Sequence, residues 1–223
     1  MDVIIFLSVS FVSLTVSAAL YLFIKITFDK YRLNKASSDM SGVEIAQHIL
    51  AENKIYDVQI QIVPGQMTDR YNLKQKVLSL SEQVAYGRSV SAIAVAAHEC
   101  GHVIQHYTGY GLLKFRNAMT PVVKVGFCIG FLSLLLGLTP SWEPLLPVGI
   151  VLLSTAVLFY IVTLPVEFNA SERAMTILED KRLIRYDETE STKIVLRAAA
   201  MTYITLAIAA ISKFLSSLGG GDD

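Results

Sequence analysis

Three long stretches without a charged residue constrain this chain most strongly. Val3–Ile24 runs for 22 residues without a charge, and Val125–Trp142 and Pro144–Val166 are likewise uncharged. About 20 apolar residues in a helix are enough to cross the hydrocarbon core of a bilayer. Only Met1 and Asp2 precede the first stretch and basic residues follow it, so we expect a retained anchor rather than a cleavable signal peptide. These stretches predict a mainly helical integral membrane protein.

A fourth apolar stretch, Ala198–Ser212, is shorter. Its 15 residues would extend about 22 Å as a helix, which is less than a hydrocarbon core of about 30 Å. It could cross if Arg197 and Lys213 extend their charged ends toward the headgroups. A buried or interfacial helix is the alternative for this stretch. We therefore expect about four transmembrane helices, at residues 3–24, 122–142, 144–166 and 195–215.

The distribution of basic residues predicts how these helices are oriented. If all four cross, every Lys and Arg except Lys213 lies on one side, in residues 25–124 and 167–197. Because short cytoplasmic segments of membrane proteins are rich in Lys and Arg, we expect those segments in the cytoplasm. The net charge is zero, and we expect a lipid bilayer and not a nucleic acid as a partner. The two cysteines, Cys100 and Cys128, do not form a disulfide framework.

The polar part contains the sequence His98-Glu99-Cys100-Gly101-His102, which has the form H-E-x-x-H. On a helix, residues four apart project from one face, so His98 and His102 could both bind one Zn²⁺ ion. Glu99 could then act as the general base toward a water in the fourth ligand position. Cys100 lies on another side of such a helix, and we expect it to pack in the core rather than to bind metal.

The segment before this motif predicts one helix and two strands. Ser41 and Glu44 fit a capping box at the start of a helix. Residues 58–62 alternate between apolar and polar side chains, as a half-buried strand does, and residues 76–81 predict a second strand. Ser89 or Ser91 could cap the motif helix. We expect Leu78–Ser81 to be an edge strand that pairs with an extended substrate, although it could equally be part of a sheet that only packs on helices.

Two histidines alone cannot hold a catalytic zinc ion, so a third ligand is needed. His106 lies on the same helix face, but three ligands in line on one rigid helix cannot surround a tetrahedral ion. We expect His106 to support the site rather than to bind the metal. A carboxylate from another helix is the usual solution. Glu167 is the first candidate, and Glu172, which we expect to be a solvated charge, is its rival.

The chain resembles known families in these same segments. Pro165–Ala174 reads P-V-E-F-N-A-S-E-R-A, which is similar to the P-V-E-F-D-A-S-x-R-A pattern of the YugP-like bacterial membrane neutral zinc metallopeptidases, with Asn169 in place of Asp. Further similarity lies in Thr68–Tyr71, in Lys76–Leu78 and in Gly87–Ser89. A more distant resemblance is to the gluzincin clan that includes HtpX and the CAAX prenyl endopeptidases, in which the corresponding Glu is the third ligand.

The resemblance implies a set of roles for individual residues. It implies that His98, His102 and Glu167 bind one catalytic Zn²⁺ ion and that Ser171 braces a ligand imidazole, where the more distant clan has Asp. Apart from the resemblance, Arg173 could support the site by orienting a ligand, with a salt bridge or a packing role as an equal alternative. The oxyanion donor is not identified, with Tyr107, Tyr110 and Arg173 nominated for that role. The fold implied is a cytoplasmic α+β zincin-like metallopeptidase core, made of residues 26–120 and a helix in residues 167–193, on a membrane-embedded bundle.

The function expected is that of a zinc-dependent metalloendopeptidase in the bacterial plasma membrane. Its active site would lie on the cytoplasmic side, and its substrates would be protein or peptide segments near the membrane, including those of membrane proteins. A catalytically silent, zinc-stabilised membrane adaptor is the alternative, although Glu99 would have no use in a purely structural zinc site. A transporter is disfavoured because the apolar stretches carry no clear intramembrane Asp, Glu or His. The sequence does not indicate the oligomeric state.

Overall fold

The computed structural model describes residues 3–137 and 139–201, and their side chains from residue 15 onward except at 140 and 157. The described chain is mainly helical with one small sheet, as predicted. A 3-10 turn at Pro140–Trp142 lies between the fifth and sixth helices. The helices are α1 Val3–Arg32, α2 Gly42–Glu52, α3 Glu82–Tyr86, α4 Val90–Tyr107, α5 Gly111–Gly137, α6 Leu145–Asp180 and α7, which is helical over residues 189–201.

The described residues form two compact units. The first contains Gly111–Pro165 together with residues 3–22, and the second contains Phe23–Tyr110 together with Val166–Met201. All of the predicted site residues belong to the second unit. The fourth predicted transmembrane helix, residues 195–215, lies mostly outside the described residues.

In the first unit, α5 and the beginning of α6 pack closely through glycines. A Cβ atom on Gly149 would lie 2.8 Å from the carbonyl oxygen of Gly130, and one on Gly137 would lie 2.5 Å from the backbone nitrogen of Leu146. Such close backbone contact through small residues is typical of helices packed within membranes. Two of the described helices, α5 and α6, are long and apolar enough to cross a bilayer. The count of four crossings stays a prediction.

In the second unit, three strands form a sheet in the order β1-β3-β2. Strand β3, Val77–Ser81, pairs in parallel with β1, Gln59–Val63, and antiparallel with β2, Arg70–Asn72. The two predicted strands are confirmed, but the prediction that Leu78–Ser81 is an edge strand is wrong. The sequence did not indicate β2, because its three residues are too few to show an alternating pattern. This strand pairs with the second edge of β3, which is therefore central in the sheet.

Local capping signals place the helices of the second unit. Ser41 and Glu44 form the predicted capping box at the start of α2, and the Ser89 side chain accepts a hydrogen bond from the backbone of Ala92 at the start of α4. The sheet and these helices share one apolar core. Its fully buried members include Ile45, Ile49, Leu78, Leu80, Ile93, Val103 and Leu178.

The length of helix α6 shows that a second expectation about the fold is wrong. We expected Glu167 to begin a new polar helix after Pro165, but α6 continues from Leu145 to Asp180 with Pro165 inside it. A proline removes only one hydrogen bond of the helix ladder, so a long helix can pass through it. Glu167 therefore lies within a helix and not in its first turn.

Candidate active site

Helix α4 presents the two motif histidines side by side. His98 and His102 are one turn apart, both are buried, and their ring centroids lie 4.9 Å apart in an edge-to-face arrangement. The cap at Ser89 and the turn after Tyr107, where Gly109 has a φ of +69°, set the two ends of this helix.

Helix α6 brings Glu167 to these histidines. Its Oε2 atom lies 3.2 Å from Nε2 of His98 and 3.2 Å from Nε2 of His102, and only 1% of the residue is exposed. Among the described residues, these three form the one group of His, Cys, Asp and Glu side chains that could hold a metal ion, with ligand atoms all within 4.8 Å of one another. Glu172, the rival carboxylate, is exposed and does not belong to this group.

The chemistry of these three donors fits zinc. Two imidazole nitrogens and one carboxylate oxygen are a common set of protein ligands for catalytic zinc, and a fourth position stays open for water. The ligand atoms of a tetrahedral zinc ion lie about 3.3–3.6 Å apart when the bonds are 2.0–2.2 Å long. The 3.2 Å distances between Glu167 and the two histidines are close to that spacing. Two of the three ligand–ligand distances therefore suit a zinc ion.

The other predicted site residues differ in their contacts with the metal-binding group. The Ser171 hydroxyl lies 3.0 Å from Nδ1 of His98, as expected for a side chain that braces the imidazole. Glu99 is buried beside His98 on α4. His106 lies 2.8 Å through its Nδ1 atom from the Tyr71 hydroxyl and is not part of the metal-binding group. Arg173 donates a hydrogen bond to the side-chain oxygen of Asn169 at 2.9 Å.

Tyr107, Tyr110 and Cys100 lie near the site but do not belong to the metal-binding group. Tyr107, nominated as an oxyanion donor, gives its hydroxyl hydrogen bond to Asp57, and Tyr110 lies under the Arg173 guanidinium at 5.9 Å. Burial and the nearby Glu99 charge raise the pKa of the Cys100 thiol, so this residue stays protonated and apolar in character. Cys100 is fully buried, as we expected of a packing residue.

The sequence analysis missed Gln105, which is fully buried next to the site. Its Oε1 atom lies 3.0 Å from Nδ1 of His102, and its Nε2 atom donates hydrogen bonds to the Val166 carbonyl at 2.8 Å and to Asn169 at 3.0 Å. A local signal was available, because a residue three positions after His102 is its neighbour on the helix surface. The partners on α6 could not be read from the sequence.

The chain is similar to known proteins over most of its length. The model of a family described as "Putative neutral zinc metallopeptidase" matches residues 3–219. The chain is also 43% identical over 192 residues to the "Putative membrane protease YugP" of Bacillus subtilis (strain 168), which covers 86% of this chain and 85% of that protein. No solved structure matches the chain. The chain therefore belongs to the family described as putative neutral zinc metallopeptidases.

Proposed function

We propose that this protein is a membrane-anchored zinc metalloendopeptidase. The observation that carries the proposal is the convergence of His98 Nε2, His102 Nε2 and Glu167 Oε2, with Glu99 buried next to the first of them. Membership of a zinc metallopeptidase family and the membrane protease named among its relatives support the same activity. His98, His102 and Glu167 would hold one zinc ion, which would lower the pKa of a water and polarise a peptide carbonyl.

Glu99 would supply the proton transfer in this reaction. Its carboxylate would accept a proton from the attacking water and later return that proton to the leaving amine nitrogen of the cleaved peptide. Ser171 and Gln105 would orient the two imidazoles from the side that faces away from Glu167, at 3.0 Å each. A purely structural zinc site has no need of a general base, so the presence of Glu99 favours an enzyme over a zinc-stabilised adaptor.

We propose the cytoplasmic side of the plasma membrane as the location of this site. Glu167 directly follows the uncharged stretch Pro144–Val166 in the chain, and the basic residues are concentrated in the polar segments that carry the site. With four crossings, the two termini would lie outside the cell. The substrates would be cytoplasmic protein segments close to the bilayer, including those of membrane proteins.

Hydrolysis by detergent-purified, zinc-loaded protein tests the proposal. The substrates are a chemically unfolded protein and a single-span membrane protein with a cytoplasmic tail. Glu99→Gln should retain zinc and lose turnover by orders of magnitude, because only the base is removed. Glu172→Gln, which changes an exposed carboxylate, is the matched control and should remain active. Unchanged turnover in Glu99→Gln would exclude Glu99 as the base, and no turnover in the wild type would favour the adaptor.

A further inference from the structure

The two motif histidines turn the same ring atom toward Glu167. Both Nε2 atoms lie 3.2 Å from its Oε2, so both Nδ1 atoms face the opposite way. The Nδ1 partners are the Ser171 hydroxyl and the Gln105 side-chain amide, each at 3.0 Å. A neutral imidazole carries its hydrogen on only one nitrogen, and the partner of Nδ1 decides which one.

The orientation of the Gln105 amide is determined by two groups on α6. The Val166 carbonyl can only accept a hydrogen bond, and it lies 2.8 Å from Gln105 Nε2. The second group is the Asn169 oxygen, 3.0 Å from the same nitrogen. Arg173 can only donate and lies 2.9 Å from that oxygen, so the Asn169 amide is itself oriented as an acceptor. Both contacts require Gln105 to present its NH₂ group to α6.

The oxygen of the same amide is therefore left for His102. Oε1 can only accept, so Nδ1 of His102 must carry a hydrogen, and a neutral His102 then has its lone pair on Nε2, the atom that faces Glu167. Reversing the amide would place its oxygen against the Val166 carbonyl and the Asn169 oxygen, which are both acceptors. The buried position of Gln105 leaves no bulk water to compensate for such contacts.

A similar chain of hydrogen bonds determines which nitrogen of His98 carries the hydrogen. The Ser171 hydroxyl lies 3.0 Å from the carbonyl oxygen of Leu196 on α7, and its single hydrogen is used in that bond. The lone pair of the Ser171 oxygen then accepts the Nδ1 hydrogen of His98. A neutral imidazole at either position thus has its Nε2 lone pair on the side of Glu167, which cannot donate to it, and a cation is the natural partner for three such donor atoms.

We propose that Gln105 is a positioning residue that holds His102 in the Nδ1–H form required for metal binding. This inference rests on the proposed function, because it concerns the same metal site. It goes further because it attributes the Nδ1–H form of His102 to a chain of hydrogen bonds. This chain starts at Arg173 and the Val166 carbonyl and passes through Gln105. A bridge that only joined α4 to α6 would stabilise the fold without affecting the affinity for the metal.

Zinc affinity, measured by competition with a chelator, tests the assignment. Gln105→Met keeps the size of the side chain but removes all of its hydrogen bonds, and we expect zinc affinity to fall by about 10–100-fold. Gln105→Glu keeps an acceptor for His102, but its second oxygen would face the Val166 carbonyl and the Asn169 oxygen, so we expect it to recover only part of that loss. Val103→Ala, at a buried apolar position of the same helix, is the control. It should lower the melting temperature of the metal-free protein but leave zinc affinity within about threefold of the wild type.

A second measurement does not depend on the folding of a variant. Long-range ¹H–¹⁵N spectra of the metal-free wild type should show a hydrogen on Nδ1 of His102. The doubly protonated ring also satisfies this expectation, because the Glu167 carboxylate can accept a hydrogen from Nε2 when no metal is bound. A hydrogen on Nε2 alone would overturn the proposal. Equal zinc affinity in the wild type and Gln105→Met would also overturn it, as would an equal loss in Gln105→Met and Val103→Ala. A wild type that binds no zinc would overturn the proposed function as well, so the two failures are distinguishable.

Discussion

Gly101 lies against Ala170 so closely that a Cβ atom on Gly101 would stand 2.4 Å from the Ala170 carbonyl oxygen. Gly101 is one of the two variable positions of the H-E-x-x-H motif, and Ala170 precedes Ser171 on α6. The contact allows α4 and α6 to approach until His98, His102 and Glu167 meet. Gly101, which has no side chain and binds no metal, thus determines whether the distances between the ligands can be reached.

We expect Gly101→Ala to weaken zinc binding, because the added methyl group would force the two helices apart. Overpacking of this kind typically costs about 1–3 kcal/mol of stability. The measurements are the zinc content and the melting temperature of the purified protein. Gly111→Ala is the matched control, since a Cβ atom there meets nothing within 4 Å. Normal zinc content in Gly101→Ala would show that the close approach is not required.

The third ligand can be tested with two carboxylates on the same helix. Glu167→Ala should lose most of the bound zinc and the activity together, because a three-ligand site would be reduced to two. Glu172→Ala should keep its zinc, because this side chain is exposed and lies outside the ligand group. Metal analysis of both variants distinguishes them. Loss of zinc from Glu172→Ala but not from Glu167→Ala would refute the ligand assignment.

Asn169 stands where the resembling family pattern has Asp, and its structural role predicts the effect of restoring that residue. Its side-chain oxygen accepts hydrogen bonds from Gln105 and Arg173. A carboxylate can accept both bonds and adds an ion pair with the partly exposed Arg173, worth about 0–1 kcal/mol. Asn169→Asp should therefore keep its zinc and melt at the same or a slightly higher temperature. Asn169→Leu, which removes the acceptor, should weaken zinc binding. Weaker zinc binding in Asn169→Asp than in Asn169→Leu would contradict the proposed role of Asn169 in orienting Gln105.

The predicted topology can be checked by labelling single cysteines with an impermeant reagent on intact cells, in a background with Cys100 and Cys128 replaced by Ala. Cysteines at Ser141 and Gly220 should react from outside, whereas cysteines at Tyr56 and Tyr186 should not. Both tyrosines are well exposed, 79% and 96%, so protection there would reflect the membrane rather than burial. Labelling at Tyr56 and Tyr186 alone would invert the orientation, and protection at Gly220 would make the fourth apolar stretch an interfacial helix.

Local signals in the sequence predicted much of the fold. The capping box at Ser41 and the cap at Ser89 depend on side chains within three residues of the groups they bind, so the helix starts could be read directly. The apolar alternation of residues 58–62 likewise predicted β1. Strand β2 was missed because three residues cannot show a period, and without it β3 was mistaken for an edge.

Only the residues of the candidate site that belong to a sequence motif could be predicted. Glu167 and Ser171 were identified through a family pattern, and the structure places both against His98, at 3.2 and 3.0 Å. Gln105 could not be assigned a role, because its function depends on a backbone carbonyl 61 residues away in the chain. The link from Ser171 to the Leu196 carbonyl was hidden for the same reason, since a sequence carries no sign of which carbonyl a side chain will contact.

The zinc content of the detergent-purified wild-type protein, measured beside that of His98→Ala and His102→Ala, tests the assignment of the metal site. We expect about one zinc ion per chain in the wild type and little in either variant, because each change removes a ligand. A wild-type protein that holds no zinc under metal-replete conditions would contradict the assignment of this site and the activity proposed from it.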